Sequence, residues 1–250
     1  VGLAVAAQGG LSLYLYGHWL FGSSRGGNML RVNFQYNMAT VGWFSLAGVA
    51  AELVGWRLGM FLASVGTFFW GLVVVTLFQR SRVNMDGGGE KPTPVVFLLI
   101  APPAAAAIAW SKVDDAAVAG SGVASAWDRP SAALFFLMLD HFFFALLLRL
   151  LNLYVSRRFA ITWWAYIFPL STISTATILA AAAQPPGTAE ETAWKAFAWL
   201  FAALAAAAIA CVAFFTAHCA RKGQIPTDPA ALALWRKVHA AEARGEAEGA

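Results

Sequence analysis

The chain has 250 residues, 60% of them hydrophobic and only 12% charged, against about 25% charged in an average soluble domain. Its 17 Lys+Arg and 13 Asp+Glu leave a net charge of +4. The charges fall between apolar runs and form no continuous basic face, which excludes a soluble globular domain and argues against nucleic acid as a partner.

About 20 apolar residues cross the ~30 Å hydrocarbon core of a bilayer as a helix. Residues 1–21 form the first such run, interrupted only by Gln8, Tyr14, Tyr16 and His18. Because Val1 stands inside that run, a chain truncated at its amino terminus is expected. A polar turn at 22–28 and a lead-in at 30–36 precede the second span, 38–54, which is small-faced through Gly42, Ser45 and Gly48. The third, 58–78, is aromatic, and a glycine-containing loop is predicted at 79–93. The fourth, 94–110, is broken by Pro102 and Pro103, and 111–130 reads as a solvated loop carrying Lys112, Asp114 and Asp115 to the outer mouth. The fifth, 131–151, is bulky and plain. The sixth, 159–183, carries Thr162, Ser171, Thr172, Ser174, Thr175 and Thr177, with Phe168-Pro169 near its middle. A proline there is expected to bend the helix and free backbone groups that neighbouring hydroxyls must satisfy. The seventh span is 193–217. A polar tail, 218–250, follows, with a solvent helix expected at 229–247.

These elements predict an all-α integral membrane protein with a transmembrane domain at 1–217. The spans alternate in character: 38–54, 94–110 and 159–183 carry the glycine, proline and hydroxyl interruptions, while 58–78, 131–151 and 193–217 are plainer. Helical hairpins arranged as an inner and an outer ring around a central pore would produce that alternation. Arg25, Arg31, Arg80, Arg82, Lys91, Arg157, Arg158, Arg221 and Lys222 all follow odd-numbered spans. Basic loops stay cytoplasmic, so the carboxyl tail is predicted to be cytoplasmic.

Asp140 and His141 lie within the fifth span, where ionisable groups are costly and often functional. They are candidates for proton coupling, or for a structural pair satisfied by neighbouring helices. Glu52 is placed to pair with nearby Arg57, as a solvated contact of little weight. Trp43, Trp56, Trp163, Trp164 and Trp194 read as a belt near the span ends. Cys211 and Cys219 have no CxxC or Cys/His companions. His18, His141, His218 and His239 have no metal spacing, and no HExxH, GxSxG or P-loop occurs. Neither an enzyme nor a cofactor or metal site is expected.

The runs YGHWLFG (16–22), VTLFQR (75–80), IAPPAAAAIAW (100–110) and WWAYIFPLSTISTATI (163–178) resemble the plant slow-type anion channels and their bacterial relatives, the tellurite-resistance and dicarboxylate-transporter proteins. The resemblance covers residues 14–217 in order. It implies ten helices in five hairpins, with odd-numbered helices lining the pore and the chain entering near family helix four. It also implies plasma-membrane homotrimers with one pore per subunit, and kinase regulation in full-length relatives. The tail here offers Thr227 as its only hydroxyl. By motif position Phe168 matches the pore phenylalanine of the ninth helix, while Phe44 and Phe97 are carried over from helices five and seven on local similarity. Pro169, Pro102 and Pro103 then act as pore kinks that aim freed amides toward anions. No fixed basic residue is seen inside the inner spans, which fits weak, multi-site anion binding.

Three readings follow. The first is an anion channel passing chloride or nitrate through a phenylalanine-gated pore. The second is a proton-coupled or facilitative carrier for dicarboxylates such as malate. The third is a truncated, non-conducting product whose seven spans need another chain to close the pore.

Overall fold

A computed structural model describes residues 2–21, 36–85, 94–119, 131–149, 159 and 161–222. These form seven α-helices: α1 (Gly2–Phe21), α2 (Tyr36–Leu53), α3 (Trp56–Met85), α4 (Ala101–Ala117), α5 (Ala132–Arg149), α6 (Ile167–Ala183) and α7 (Ala189–Arg221). Short 3-10 segments, Pro94–Leu99 and Ile161–Tyr166, lead into α4 and α6. The described residues contain no strand. Five helical stretches are long and apolar enough to cross a membrane: Trp56–Gln79, Val96–Ala117, Ala132–Arg149, Trp163–Ala183 and Ala189–Arg221. The chain is an all-α integral membrane protein. Residues 1, 22–35, 86–93, 120–130, 150–158, 160 and 223–250, and with them Arg25, Arg31, Lys91, Arg157, Arg158 and Thr227, lie outside the described residues.

Three hairpins follow one another, α2/α3, α4/α5 and α6/α7, each pairing a small-faced helix with a bulkier one. Gly55 turns the first of them with φ near +139°, a conformation that glycine adopts at no steric cost. In the third, the Thr188 hydroxyl accepts from the Glu191 amide while the Glu191 carboxylate accepts from the Gly187 amide. That reciprocal cap starts α7.

α4 is the hub of the bundle, packing against α2, α3, α5 and α6. Its alanines at 101, 104, 105, 106, 107 and 109 are all buried. Lipid tails are as apolar as leucine, so membrane helices associate through close van der Waals approach, which small side chains permit. α2 uses the same device, burying Ala39, Ala47, Gly48, Ala50 and Ala51. α7 is the least buried of the five membrane-length stretches and exposes Phe197, Trp199, Leu200 and Phe214. α1 docks on α2 through Gln8, whose side-chain amide donates to the Ala39 carbonyl at 2.8 Å.

The structure corrects several expectations. Pro102, Pro103 and Pro169 interrupt no helix: all three stand in the first turn of α4 or α6, just after a 3-10 segment. An N–H missing there is one the helix leaves without an intrahelical partner anyway. At the start of α4 the backbone bonding continues across the junction, with Ala104 N donating to the Ile100 carbonyl and Ile100 N to that of Phe97. α3 runs to Met85 and α4 to Ala117, past the predicted span ends at 78 and 110. Residues 79–85 and 111–117 contain neither glycine nor proline, so polarity there marks the end of the apolar span without ending the helix. Trp43 and Trp194 are buried in the core and do not join an interfacial belt.

The packing of α4 makes a prediction. Ala106→Leu inserts a larger side chain at a fully buried position and is expected to cost ~1–3 kcal/mol. Ala210→Leu, on the exposed face of α7, should be close to neutral. Thermal unfolding midpoints in detergent compare the two, and equal midpoints would remove α4 from the centre of the fold.

Candidate functional site

The inner helices run in the same direction. The 3-10 segments that begin the α4 and α6 arms pack on each other, with the Phe97 and Tyr166 rings 5.1 Å apart. At the opposite end, Lys112 near the end of α4 meets Glu52 in the last turn of α2. Between these ends lies a cleft of about 300 Å³. Four residues from each helix line it: Phe44, Ser45, Gly48 and Val49 of α2, Ala105, Ile108, Ala109 and Lys112 of α4, and Phe168, Ser171, Thr172 and Thr175 of α6. The α4 and α6 sets follow the i, i+3, i+4, i+7 spacing of one helical face. Each inner helix therefore turns one stripe to the cleft and packs its other sides into the bundle.

The lining is narrow in chemical range. Four hydroxyls face the cleft, from Ser45, Ser171, Thr172 and Thr175. Two of these are committed to their own helix, with Thr172 donating to the Phe168 carbonyl at 2.8 Å and Thr175 to that of Ser171 at 2.9 Å. Such back-bonding holds the threonine rotamer and leaves oxygen lone pairs toward the opening. Among the described residues the hydroxyls that remain able to donate into the cleft are those of Ser45 and Ser171. Among the described residues the one charged side chain in the lining is Lys112.

The two phenylalanines brought together here differ in freedom. Phe168 is 39% exposed. Phe44 is 1% exposed and wedged between Phe136 of α5, at 6.4 Å between ring centroids, and the backbone of α3 at Gly66. A Cβ on Gly66 would come within 3.0 Å of the Phe44 ring, so glycine there is what lets the ring sit down. Phe44 is a packed wall of the cleft, while the Phe168 ring is partly exposed.

The other predicted residues lie elsewhere. Phe97 is buried against Phe144 and Tyr166 and does not line the cleft. Asp140 and His141 do not line it either, and they do not act as a pair. Asp140 is fully buried on the stripe of α5 that includes Phe136, Leu137, Phe143 and Phe144, and its carboxylate has no hydrogen-bond partner among the described residues. His141 Nδ1–H donates to the Leu137 carbonyl at 2.7 Å, and Nε2 stands 3.5 Å from the Thr177 hydroxyl. Edge-to-face contacts with Trp194, Phe197 and Phe201 hold the His141 ring against α7. Pro169 and both prolines of α4 are buried behind the lining.

Two sequence readings of charge are overturned. Glu52 does not pair with Arg57, which lies over the Trp56 ring at 5.0 Å. It bonds Lys112 at 2.6 Å instead, because α4 continues as a helix far enough to carry Lys112 level with the end of α2. The expectation of an inner layer without a basic residue fails for the same reason. The signal was available: Ala105, Ile108, Ala109 and Lys112 share one face if the helix is extended past Trp110.

A family model described as SLAC1, voltage-dependent anion channel, matches residues 1–219. The chain is 33% identical over 177 residues to the guard cell S-type anion channel SLAC1 of Arabidopsis thaliana, covering 70% of this chain and 29% of that one. It is 31% identical over 170 residues to the S-type anion channel SLAH2 of the same plant, covering 67% and 30%. Identity to SLAH1 is 32% over 167 residues, covering 64% and 39%. The chain therefore spans well under half the length of these relatives.

Cysteine labelling tests the cleft. With Cys211 and Cys219 replaced by serine, Ser171→Cys is expected to react with a water-soluble thiosulfonate, while Ile173→Cys, fully buried two residues on, reacts more slowly by about tenfold or more, since thiol reactivity follows access. Equal rates would mean that α6 does not face a water-filled cleft.

Proposed function

This chain belongs to the voltage-dependent anion channel family, and we propose that it passes small monovalent anions such as chloride and nitrate down their gradient along the cleft between α2, α4 and α6. The observation that carries this reading is the convergence of three parallel helices, each turning a stripe of small and hydroxyl side chains to one cleft in which the Phe168 ring stands partly exposed. The donating hydroxyls of Ser45 and Ser171 and one neutralised ammonium offer an anion shallow stopping points. Conduction needs binding weak enough to let the ion leave. An apolar ring in such a path blocks ions by excluding water, with no charge required. The names of the Arabidopsis relatives, all anion channels, agree with this reading.

The carrier reading places its proton on Asp140. That carboxylate sits on the stripe of α5 packed into the bundle and away from the cleft lining, which favours the channel. We further propose plasma-membrane homotrimers with the carboxyl tail in the cytoplasm.

Voltage-clamp recording from cells expressing the complete reading frame tests the gate. Phe168→Ala is expected to raise basal chloride or nitrate current by about tenfold, equivalent to ~1.4 kcal/mol off the barrier. Unchanged current, together with proton-gradient-dependent malate uptake that Asp140→Asn abolishes, would establish the carrier instead. For orientation, a carboxyl-terminal reporter active only in the cytoplasm should be active. Activity of a reporter that needs the exterior would invert the topology.

A further inference from the structure

Lys112 is held at the mouth of the cleft by two separate features of α2. Its aliphatic stem crosses Gly48, where an added Cβ would come within 3.1 Å of Lys112 Cδ. Its ammonium then reaches Glu52, one helical turn beyond Gly48, at 2.6 Å. Both members of the pair keep contact with solvent, the Lys112 side chain at 35% exposure and that of Glu52 at 53%. Asp114 and Asp115 follow on the last turn of α4, outside the lining. The one cation of the cleft is therefore occupied by a carboxylate tethered to the neighbouring helix.

We infer that Lys112 is the anion-binding residue at the mouth of the cleft and that Glu52 is its built-in competitor, displaced each time a small monovalent anion enters. The inference rests on the anion-pathway reading above. A partly exposed ion pair is weak, so an arriving anion exchanges one partner of the ammonium for another and strips no charge from water that was not already partly stripped. When the anion leaves, Glu52 returns to the ammonium. Its competition keeps the site from holding an anion too long for conduction. Glycine at 48 is part of the device, because an added Cβ would crowd the lysine stem at 3.1 Å and require it to shift by a few tenths of an ångström.

The test uses the full reading frame with two readouts. In current recordings at rising chloride or nitrate, Glu52→Gln is expected to lower the half-saturating concentration about threefold or more, and Lys112→Met to raise it by a similar factor. Lys112→Arg should stay near wild type, and the double variant should match Lys112→Met. These differences should shrink toward 1 M salt, where screening is strong. The second readout needs no current: acylation of lysines by a water-soluble ester, followed by peptide mass spectrometry. Nitrate should slow modification of Lys112, and Glu52→Gln should hasten it. Lys195, paired with Glu191 in the same way but away from the cleft, should respond to neither change.

Half-saturation unchanged by Lys112→Met and Glu52→Gln, while Phe168→Ala still raises current, would overturn this inference and leave the proposed function standing. Absence of anion current in every variant would count against the proposed function. In that case Lys112 acylation slowed by nitrate would still support the site, and acylation indifferent to nitrate would overturn it.

Discussion

A helix whose first half is alanine at 101, 104–107 and 109 can be approached closely on several sides, and α4 is that helix. Its buried alanines let α2, α3, α5 and α6 close around it, in an environment where hydrophobic transfer does nothing to bring helices together. The cleft follows from this packing. α2 and α6 each meet α4 along one side, and the angle left between them stays open where Gly48, Ala105 and Ala109 contribute little bulk. Filling the α4 surface with leucine would separate the inner helices and remove the shared lining.

The same helix explains which parts of the molecule were legible in its sequence. The seven apolar runs and the alternation of small-faced with bulky spans depend on side-chain size and polarity alone, and these are visible without coordinates. The pairing into hairpins follows from them. The consequence of a proline is different, since it depends on whether an α-helix has already begun. Phe168-Pro169 lies near the middle of an apolar stretch, yet Ile161–Tyr166 is 3-10 and the α-helix starts only at Ile167. Nothing in the residue types separates those two pitches. Polarity misled in the opposite direction at 111–117, where Lys112 and Asp114 looked like a loop although no breaker stands before Gly120. About two extra turns there brought in the one charge of the described lining and changed the partner of Glu52.

The two phenylalanines show why a motif alone under-determines a gate. Phe44 and Phe168 share the cleft, and a sequence match treats them alike. Phe44, however, is clamped by Gly66 and Phe136, and a ring in a close-packed interior cannot swing without moving its neighbours. Phe168 sits in the first turn of α6, where its carbonyl is tied by Thr172 while the ring itself stays partly exposed. Backbone order with side-chain exposure is the combination that the proposed gating role requires of Phe168. Phe97 carries neither property, being buried between Phe144 and Tyr166, and its place is to lock the two 3-10 segments together.

Charge is distributed with the same economy of position. Asp140 lies on the packed stripe of α5 and the Lys112–Glu52 pair lies at the mouth, so the described lining carries hydroxyl and apolar side chains along its length and a formal charge only at one end. A bare ammonium deep among the alanines of α4 would bind an anion strongly in that low-dielectric setting and hold it there. Placed where water still reaches it, and opposed by a carboxylate on the adjacent helix, the same ammonium would attract an anion without trapping it, as the proposal requires. The position of Lys112 is set by helix length and that of Glu52 by the turn at Gly55 that ends α2. The electrostatics of the mouth therefore depend on where two helices stop, as much as on which residues they carry.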